Sequence, residues 1–446
     1  MTGWPTCDTS MPALRFNVSK RGNRMNRREF IIGSPFQFAL PLGLAGQTGG
    51  APSEVIESAR QEAIDPSAQK PPSSIVRTSD YEKLQQALDA VPAQGGLVEL
   101  PPGTFELEKP LVISSENLLV RGSGPSTHLI NRNRSGRPAI LVRHRERADN
   151  PRARIWRIEL TGLRLTGNPE SGDGILAEGV NEIYIHRVSV ERNGGHGISL
   201  VDCYENPRVI GSSMTYNGGT GLNIVRSHDL VVSTNQFEEN LHAVRCVDSF
   251  NLTLTGNNLD DHLSDGIVIE NTYGSVISGN MIEECAGWAM VLDRDCYGIT
   301  IGSNVIAHNL FGIDLRDAWG SSISANTFTI VPRQAIRVGP ESGRLTITGN
   351  NFSNSYIGGK TKREPDPAAQ WPRISQASGV LLQGTSDITI VGNTFAGLVT
   401  EAVKAEAGCR RLLITGNNFV APENAAISPF DLGDAQEVLL ENNQLP

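Results

Sequence analysis

From about residue 155 onward, apolar and polar positions alternate in short runs that repeat every 23 residues or so. Each run opens on a small residue: Gly174, Gly197, Gly221, Ala243, Gly266, Ala289, Gly312, Ala335, Gly379, Ala402 and Ala426. The residues one and three places on are almost always apolar, as in Ile198/Leu200, Ile267/Ile269, Ile313/Leu315 and Ile336/Val338. A period of two marks a strand with one buried face. A second alternation follows (Ile299/Ile301, Leu345/Ile347, Ile388/Ile390), and an apolar residue closes the unit at Phe237, Ile282, Phe328, Phe352, Phe395 and Phe419. Repeats of this length predict stacked coils, each burying its face only against its neighbours. The double step from Ala335 to Gly379 marks an insertion near 356–377, with Tyr356, Lys360, Lys362, Arg363 and Trp371.

Between the second and third strands an Asn recurs nine times, at 235, 257, 280, 304, 326, 350, 393, 417 and 443, often after Gly. A turn residue met once per coil stacks at the strand spacing of about 4.8 Å. Its amide can then donate to one neighbouring coil and accept from the other, and Asn tolerates a left-handed turn backbone. A ladder of Asn and the small-residue anchors resemble the right-handed parallel β-helix of the pectate lyase/pectin lyase-like superfamily, with the short repeats of NosD-like proteins. The resemblance implies an all-β, single-stranded right-handed parallel β-helix solenoid of about 11–12 coils. Residues 79–91 add an amphipathic helix, with Tyr81, Leu84, Leu88 and Val91 on one face, as an N-terminal cap over the open end.

The organisation expected is therefore a signal region (1–45), a linker (46–78), a cap with the first strands (79–110) and the β-helix (111–446). Arg27 and Arg28 before a chargeless apolar stretch resemble a twin-arginine signal, which implies a periplasmic or secreted protein. Composition removes other classes. A net charge of −9 argues against a dedicated nucleic-acid binder, and no apolar run is long enough for a membrane span. Six cysteines show no CxxC pair and no finger spacing.

Chemistry in a solenoid sits in rows one coil apart. One row lies just before the anchors: Asp173, His196, Thr220, His242, Asp265, Trp288, Phe311 and Gln334. Here Gly195-His196-Gly197 is similar to the Gly-His-Gly of polygalacturonases, but the adjacent Asp pair and the following Arg-Ile-Lys are missing. The plain alternative for His196 is a turn histidine bonded to backbone. A second group is the turn with Asp260, Asp261, His262 and Asp265, beside His242, which offers a cation site or an acid/base pair. It resembles faintly the Asp-x-His-Asp of mannuronan C5-epimerases, without the proline and Tyr. A third row is Glu270, Asp293, Asp314, Arg316, Asp317 and Arg337. Asp293 and Asp314 would hold Ca²⁺, and a neighbouring Arg would neutralise a uronate carboxylate or take its C5 proton, as the resemblance implies. A surface salt-bridge ladder is the alternative.

The expected catalytic set is thus Asp293, Asp314, Arg316, Arg337, His242, Asp265 and His196, with Trp288, Phe311, Trp371 and Asp317 contacting substrate. Ten Arg within 121–157 form a basic patch suited to an anionic polymer. The function expected is an exported carbohydrate-active β-helix acting on an acidic polysaccharide by β-elimination or C5 epimerisation rather than hydrolysis. The competing class is a non-catalytic polysaccharide-binding or periplasmic maturation β-helix.

Overall fold

The computed structural model describes residues 75–354, 376–398, 400–420 and 428–445. The chain divides into residues 1–69 and 70–446, and every described residue belongs to the second unit. The signal region, most of the linker, Trp371 with the rest of the 356–375 insertion, and the anchor Ala426 lie outside the described residues.

The second unit is a parallel solenoid. The strand after each anchor contributes to a 13-stranded parallel sheet, and the two later strands of each coil form a 28-stranded one. Thirteen strands exceed the 11–12 coils expected, because Leu111–Ile113 and Ile140–Arg143 precede the first regular anchor and lack its spacing. At the far end Phe430 pairs with Val403, so Pro429 takes the place expected of Ala426. Residues one and three places after the anchors from Gly174 to Ala402 are buried, Ile198, Leu200, Ile267, Ile269, Ile336 and Val338 among them, and in the last coil Phe430 and Leu432 are partly buried. The closing aromatics stack inside, with Phe328, Phe352 and Phe395 at 4.7 and 4.6 Å between ring centroids. The aromatics of another turn also stack, from Tyr204 through His228, Phe250 and Tyr273 to Tyr297.

All nine Asn form one ladder. After Asn235, whose Oδ1 accepts the Ser212 N–H, each Oδ1 accepts the backbone N–H and the Nδ2 of the Asn one coil earlier, as Asn304 does from Asn280 at 3.0 and 2.9 Å. The left-handed residue is not the Asn itself, as expected, but the one before it. Gly256, Gly279, Gly349, Gly392 and Gly416 have φ near 65°, and Thr234, Ser303 and Ala325 take the same conformation. That is why Gly so often precedes the Asn: a Cβ in this region costs about 1–2 kcal/mol. The nine Asn are thereby free to supply hydrogen bonds rather than conformation.

The cap is shorter than expected, a helix over Leu84–Asp89 after a 3₁₀ turn at Thr78–Asp80. Leu88 is buried and Leu84 and Val91 pack on the core, while Tyr81 is exposed. Gln85 completes the closure. Its Nε2 donates to the Val112 carbonyl at 2.9 Å and its Oε1 accepts the Val112 N–H at 2.8 Å. The side-chain amide thus stands in for a missing strand at the first edge of the 13-stranded sheet. The five described cysteines are buried free thiols.

Candidate functional site

The outer face of the 13-stranded sheet carries three rows of side chains that define a candidate groove. Its floor is the residue two places after each anchor, which points away from the core: Ser199, Asn223, Arg245, Val268, Val291, Asp314 and Arg337 are neighbours in register. One wall is the row before the anchors, and the other is the row that holds Glu270, Asp293 and Arg316. Floor and first wall share a face, because the Arg337 guanidinium lies 4.9 Å over the Trp288 ring.

The first wall is a chain of side chain-to-backbone hydrogen bonds. Asp173 Oδ1 accepts the His196 N–H at 2.8 Å, and His196 Nδ1 accepts the Thr220 N–H at 2.9 Å. Asp265 Oδ1 accepts the Trp288 N–H at 2.7 Å, and His242 Nδ1 accepts the Asp265 N–H at 3.2 Å. An imidazole whose Nδ1 accepts carries its proton on Nε2. His196 is therefore a donor rather than a base, whereas His242 Nδ1 faces both the N–H and, at 3.1 Å, the carbonyl of Asp265. Burial lowers the pKa of His196, Asp173 opposes this, and the charges of Arg245 and His242 add to it.

Asp314 is wholly buried. Its oxygens accept from Arg337 Nε at 2.7 Å and Arg316 Nε at 2.6 Å, and Arg316 reaches Asp293 at 3.7 Å. Two guanidiniums on one carboxylate leave it no open side for a cation, nor for a substrate proton. The calcium pair Asp293/Asp314 is thus not assembled as a site, and Asp314 orients two arginines instead. Burial works against the charge of Arg316, and Asp314, Asp293 and Asp265 outweigh it. Asp317 turns to the strand end, where its Oδ2 accepts the Asp295 N–H at 2.7 Å, so it is not on the groove floor. Trp288 and Phe311 stack at 4.9 Å, and Arg333 covers Phe311 as Arg337 covers Trp288.

The acidic turn separates into three environments. His262 is in the interior, Asp265 faces the groove beside His242, and Asp260 and Asp261 join Glu283 and Glu284 on another surface. There Glu283, Glu284 and His308 bring ligand atoms within 4.8 Å of one another, a grouping the sequence did not suggest. Burial, then the charge of Asp261, raises the Glu284 carboxyl to about 7. The folded state therefore binds its proton between pH 4.5 and 7 while the unfolded chain does not, so stability falls as pH rises through 7. Glu284→Gln is expected to raise the Tm at pH 8 and leave it unchanged at pH 5, measured by thermal melts at both.

The arginine-rich segment is largely self-neutralised. Arg121, Arg132, Arg134, Arg143 and Arg147 pair with Glu99, Glu106, Glu170, Glu178 and Asp202. Arg154 stacks on Tyr204 and Arg157 bonds Asn117. Two of these pairs, Arg121 with Glu99 and Arg143 with Glu178, are strand partners in register, so opposite signs one coil apart become ion pairs. The groove's own polar floor, Ser199, Asn223 and Arg245, was missed by sequence reasoning, although the column two places after the anchors could have shown it.

A model of the right-handed beta helix region matches residues 152–291 and 265–445, more than half of the chain, which belongs to this right-handed β-helix family. The A-module of mannuronan C-5 epimerase AlgE6 from Azotobacter vinelandii is 17% identical, with a TM-score of 0.50 over 83% of this chain and 99% of that one. The Agl-KA catalytic domain is 14% identical, with a TM-score of 0.53 over 80% of this chain and 70% of that one. At such identities the likeness is one of fold. No curated protein sequence matches the chain.

Proposed function

We propose that the protein binds an acidic polysaccharide along the groove and removes the C5 proton of a uronate residue, leading to elimination or epimerisation. The observation that carries this reading is the pair Arg316 and Arg337, both anchored on the buried Asp314 and both part-exposed toward the groove, with Asp265 acting on the charge of Arg316. A fixed guanidinium pair suits a carboxylate and the negative charge that develops when its neighbouring C–H is deprotonated. Asp265, one oxygen held by Trp288, takes the C5 proton with the other. In elimination the C5–H electron pair becomes the C4=C5 double bond, C4–O4 breaks, and O4 leaves with the proton Asp265 received. In epimerisation water returns a proton to C5 from the opposite face, and Asp265 gives its own to solvent.

Hydrolysis fits less well. It needs two free carboxyl groups about 5–9.5 Å apart. Asp173 and Asp265 stand four coils apart, roughly 19 Å at the strand spacing, and Asp314 is occupied by its arginines. The reading includes export, on the twin-arginine resemblance at Arg27 and Arg28, since such polymers lie outside the cell. It assigns Asp293 and Asp314 no calcium.

The test is incubation with oligomannuronate, oligogalacturonate and glycosaminoglycan fragments, with and without Ca²⁺. Ultraviolet absorbance reports the unsaturated product and NMR the epimerised one. Asp265→Asn is expected to lower turnover by about 100-fold or more while oligosaccharide affinity is retained. Binding without turnover in the unaltered protein would replace the enzyme by the binding module, and the absence of both would overturn the reading altogether.

A further inference from the structure

The floor of the groove holds a polar atom that nothing in the protein satisfies. Asn223 lies in the strand Leu222–Val225 between Leu222 and Ile224, both buried in the core, so its side chain projects to the outer face. It is nevertheless only 8% exposed. Its Nδ2 reaches Ser199 Oγ at 3.5 Å, and its Oδ1 has no hydrogen-bond partner. An unmet buried carbonyl oxygen costs about 1–3 kcal/mol, a cost that a donor arriving in the groove would remove. Asn181 Oδ1, Asn193 Oδ1 and His262 Nε2 are unpaired as well, but Asn181 lies in the strand Val180–Glu191 of the other sheet and the other two belong to a column of turn residues inside the solenoid.

The surroundings of Asn223 define what that donor belongs to. In register it stands between Ser199 and Arg245. The coil before it carries His196 and the coil after it carries His242, so the two imidazoles are roughly 10 Å apart along the groove. His196 Nδ1 accepts the Thr220 N–H, which leaves its Nε2–H as a donor, and His242 Nδ1 faces the Asp265 N–H and carbonyl. Arg245 adds a guanidinium, one edge of it paired with Glu270. One buried acceptor therefore lies between the donors His196 and Arg245. The complementary ligand carries a hydroxyl flanked by anionic or ether oxygens, at about the length of one to two sugar rings.

We propose that Asn223 is a specificity-determining residue of the groove: its Oδ1 accepts a ring hydroxyl of a uronate whose carboxylate is held by Arg245, while the imidazole N–H of His196, one coil earlier, donates to an oxygen of the adjoining sugar. The proposal rests on the acidic-polysaccharide reading and deepens it, by placing a sugar subsite centred four coils from Arg316 and five from Arg337. The occupant is a further residue of the same polymer.

The experiment is calorimetric binding of oligomannuronate and oligogalacturonate tetrasaccharides, and of their carboxyl-reduced counterparts, to the full chain and two variants. Asn223→Leu keeps a side chain of similar size without the acceptor. It is expected to weaken binding of the acidic tetrasaccharides about tenfold while the Tm is unchanged or higher, because the unpaired oxygen is gone. Asn223→Asp keeps the shape and the acceptor but adds a negative charge. It is expected to weaken the acidic ligands at least as much and to spare the carboxyl-reduced ones, which keeps the test decisive should the Leu variant fail to fold. If the unaltered protein binds an acidic tetrasaccharide and either variant binds it within twofold of the same affinity, the subsite is overturned and the wider reading stands. If the unaltered protein binds none of the ligands, both fall together.

Discussion

Replacing Asn304 by Ala is expected to destabilise the solenoid by about 4 kcal/mol, since it leaves two backbone groups wanting at 1–3 kcal/mol each and also removes amide–amide bonds. Asn304 is buried in the middle of the ladder. Its Oδ1 accepts the Asn280 N–H and Nδ2, and its Nδ2 donates to the Ile277 carbonyl and to Asn326 Oδ1, both at 3.0 Å. Alanine supplies none of these, and the methyl group cannot admit a water where the coils stack. Asn443 provides the control. It ends the ladder among the described residues and is half-buried; it too bonds the Asn417 N–H and the Ile414 carbonyl, but water reaches a half-buried turn and takes up much of that loss, so Asn443→Ala is expected to cost about 1–2 kcal/mol. Thermal and urea melts of the two variants side by side check the contrast. Equal effects would mean that the ladder contributes no more inside than at its end. Because each coil touches only its neighbours, the Asn304 variant is also expected to lose cooperativity near the break.

His262→Asn is expected to remove acid lability worth about 3 kcal/mol at pH 4. A second, shorter ladder runs along the next turn, where Asn193 donates to Asn217 and Asn217 to Asn240, each N–H to Oδ1 at 3.1 Å. One coil on, His262 occupies the column, followed by Cys285 and then Asn309, which accepts the Cys285 N–H at 2.9 Å. His262 is buried, its Nδ1 contacts the Asn240 carbonyl at 3.3 Å, and its Nε2 has no partner. Burial holds its pKa down to about 4. The sign follows directly. Between 4 and 6.5 the unfolded chain takes up a proton at this position and the folded one does not, so stability is lost as pH falls through that interval and is intact above it. Asn at 262 has no such titration and can extend the ladder. The two proteins should therefore melt alike, or the variant higher, at pH 7.5, and diverge steadily down to pH 4. A constant Tm difference across that range would refute the assignment.

Much of this architecture was legible in the chain. Ile198/Leu200 and Ile336/Val338 announce buried strand faces because inward and outward positions alternate strictly in any strand. Asn235 through Asn443 announce a stacked turn because a parallel coil returns each residue above its predecessor. The same periodicity ran through Asn193, Asn217 and Asn240, yet three members are a weaker signal than nine. Leu111–Ile113 and Ile140–Arg143 escaped notice because their coils are irregular in length, and the cap helix shrank at the end where Tyr81 points to solvent. The candidate site was less legible. Asp260, His262 and Asp265 are neighbours in sequence but leave the backbone in different directions at a turn, so proximity in the chain did not make a cluster. Asp314 and Asp293 read as a pair of free carboxylates, because the sequence does not reveal that Arg316 and Arg337 converge on Asp314.

Local repetition in the chain is enough to specify this solenoid: period, inward faces and turn residues are all written within one coil and copied. The chemistry arises from the folded arrangement. Which nitrogen of His196 and His242 holds a proton, which carboxylate is occupied and which amide oxygen is left unpaired depend on contacts between residues more than 20 positions apart. Those contacts arise from the register of neighbouring coils and from burial, and neither is a property of any single repeat.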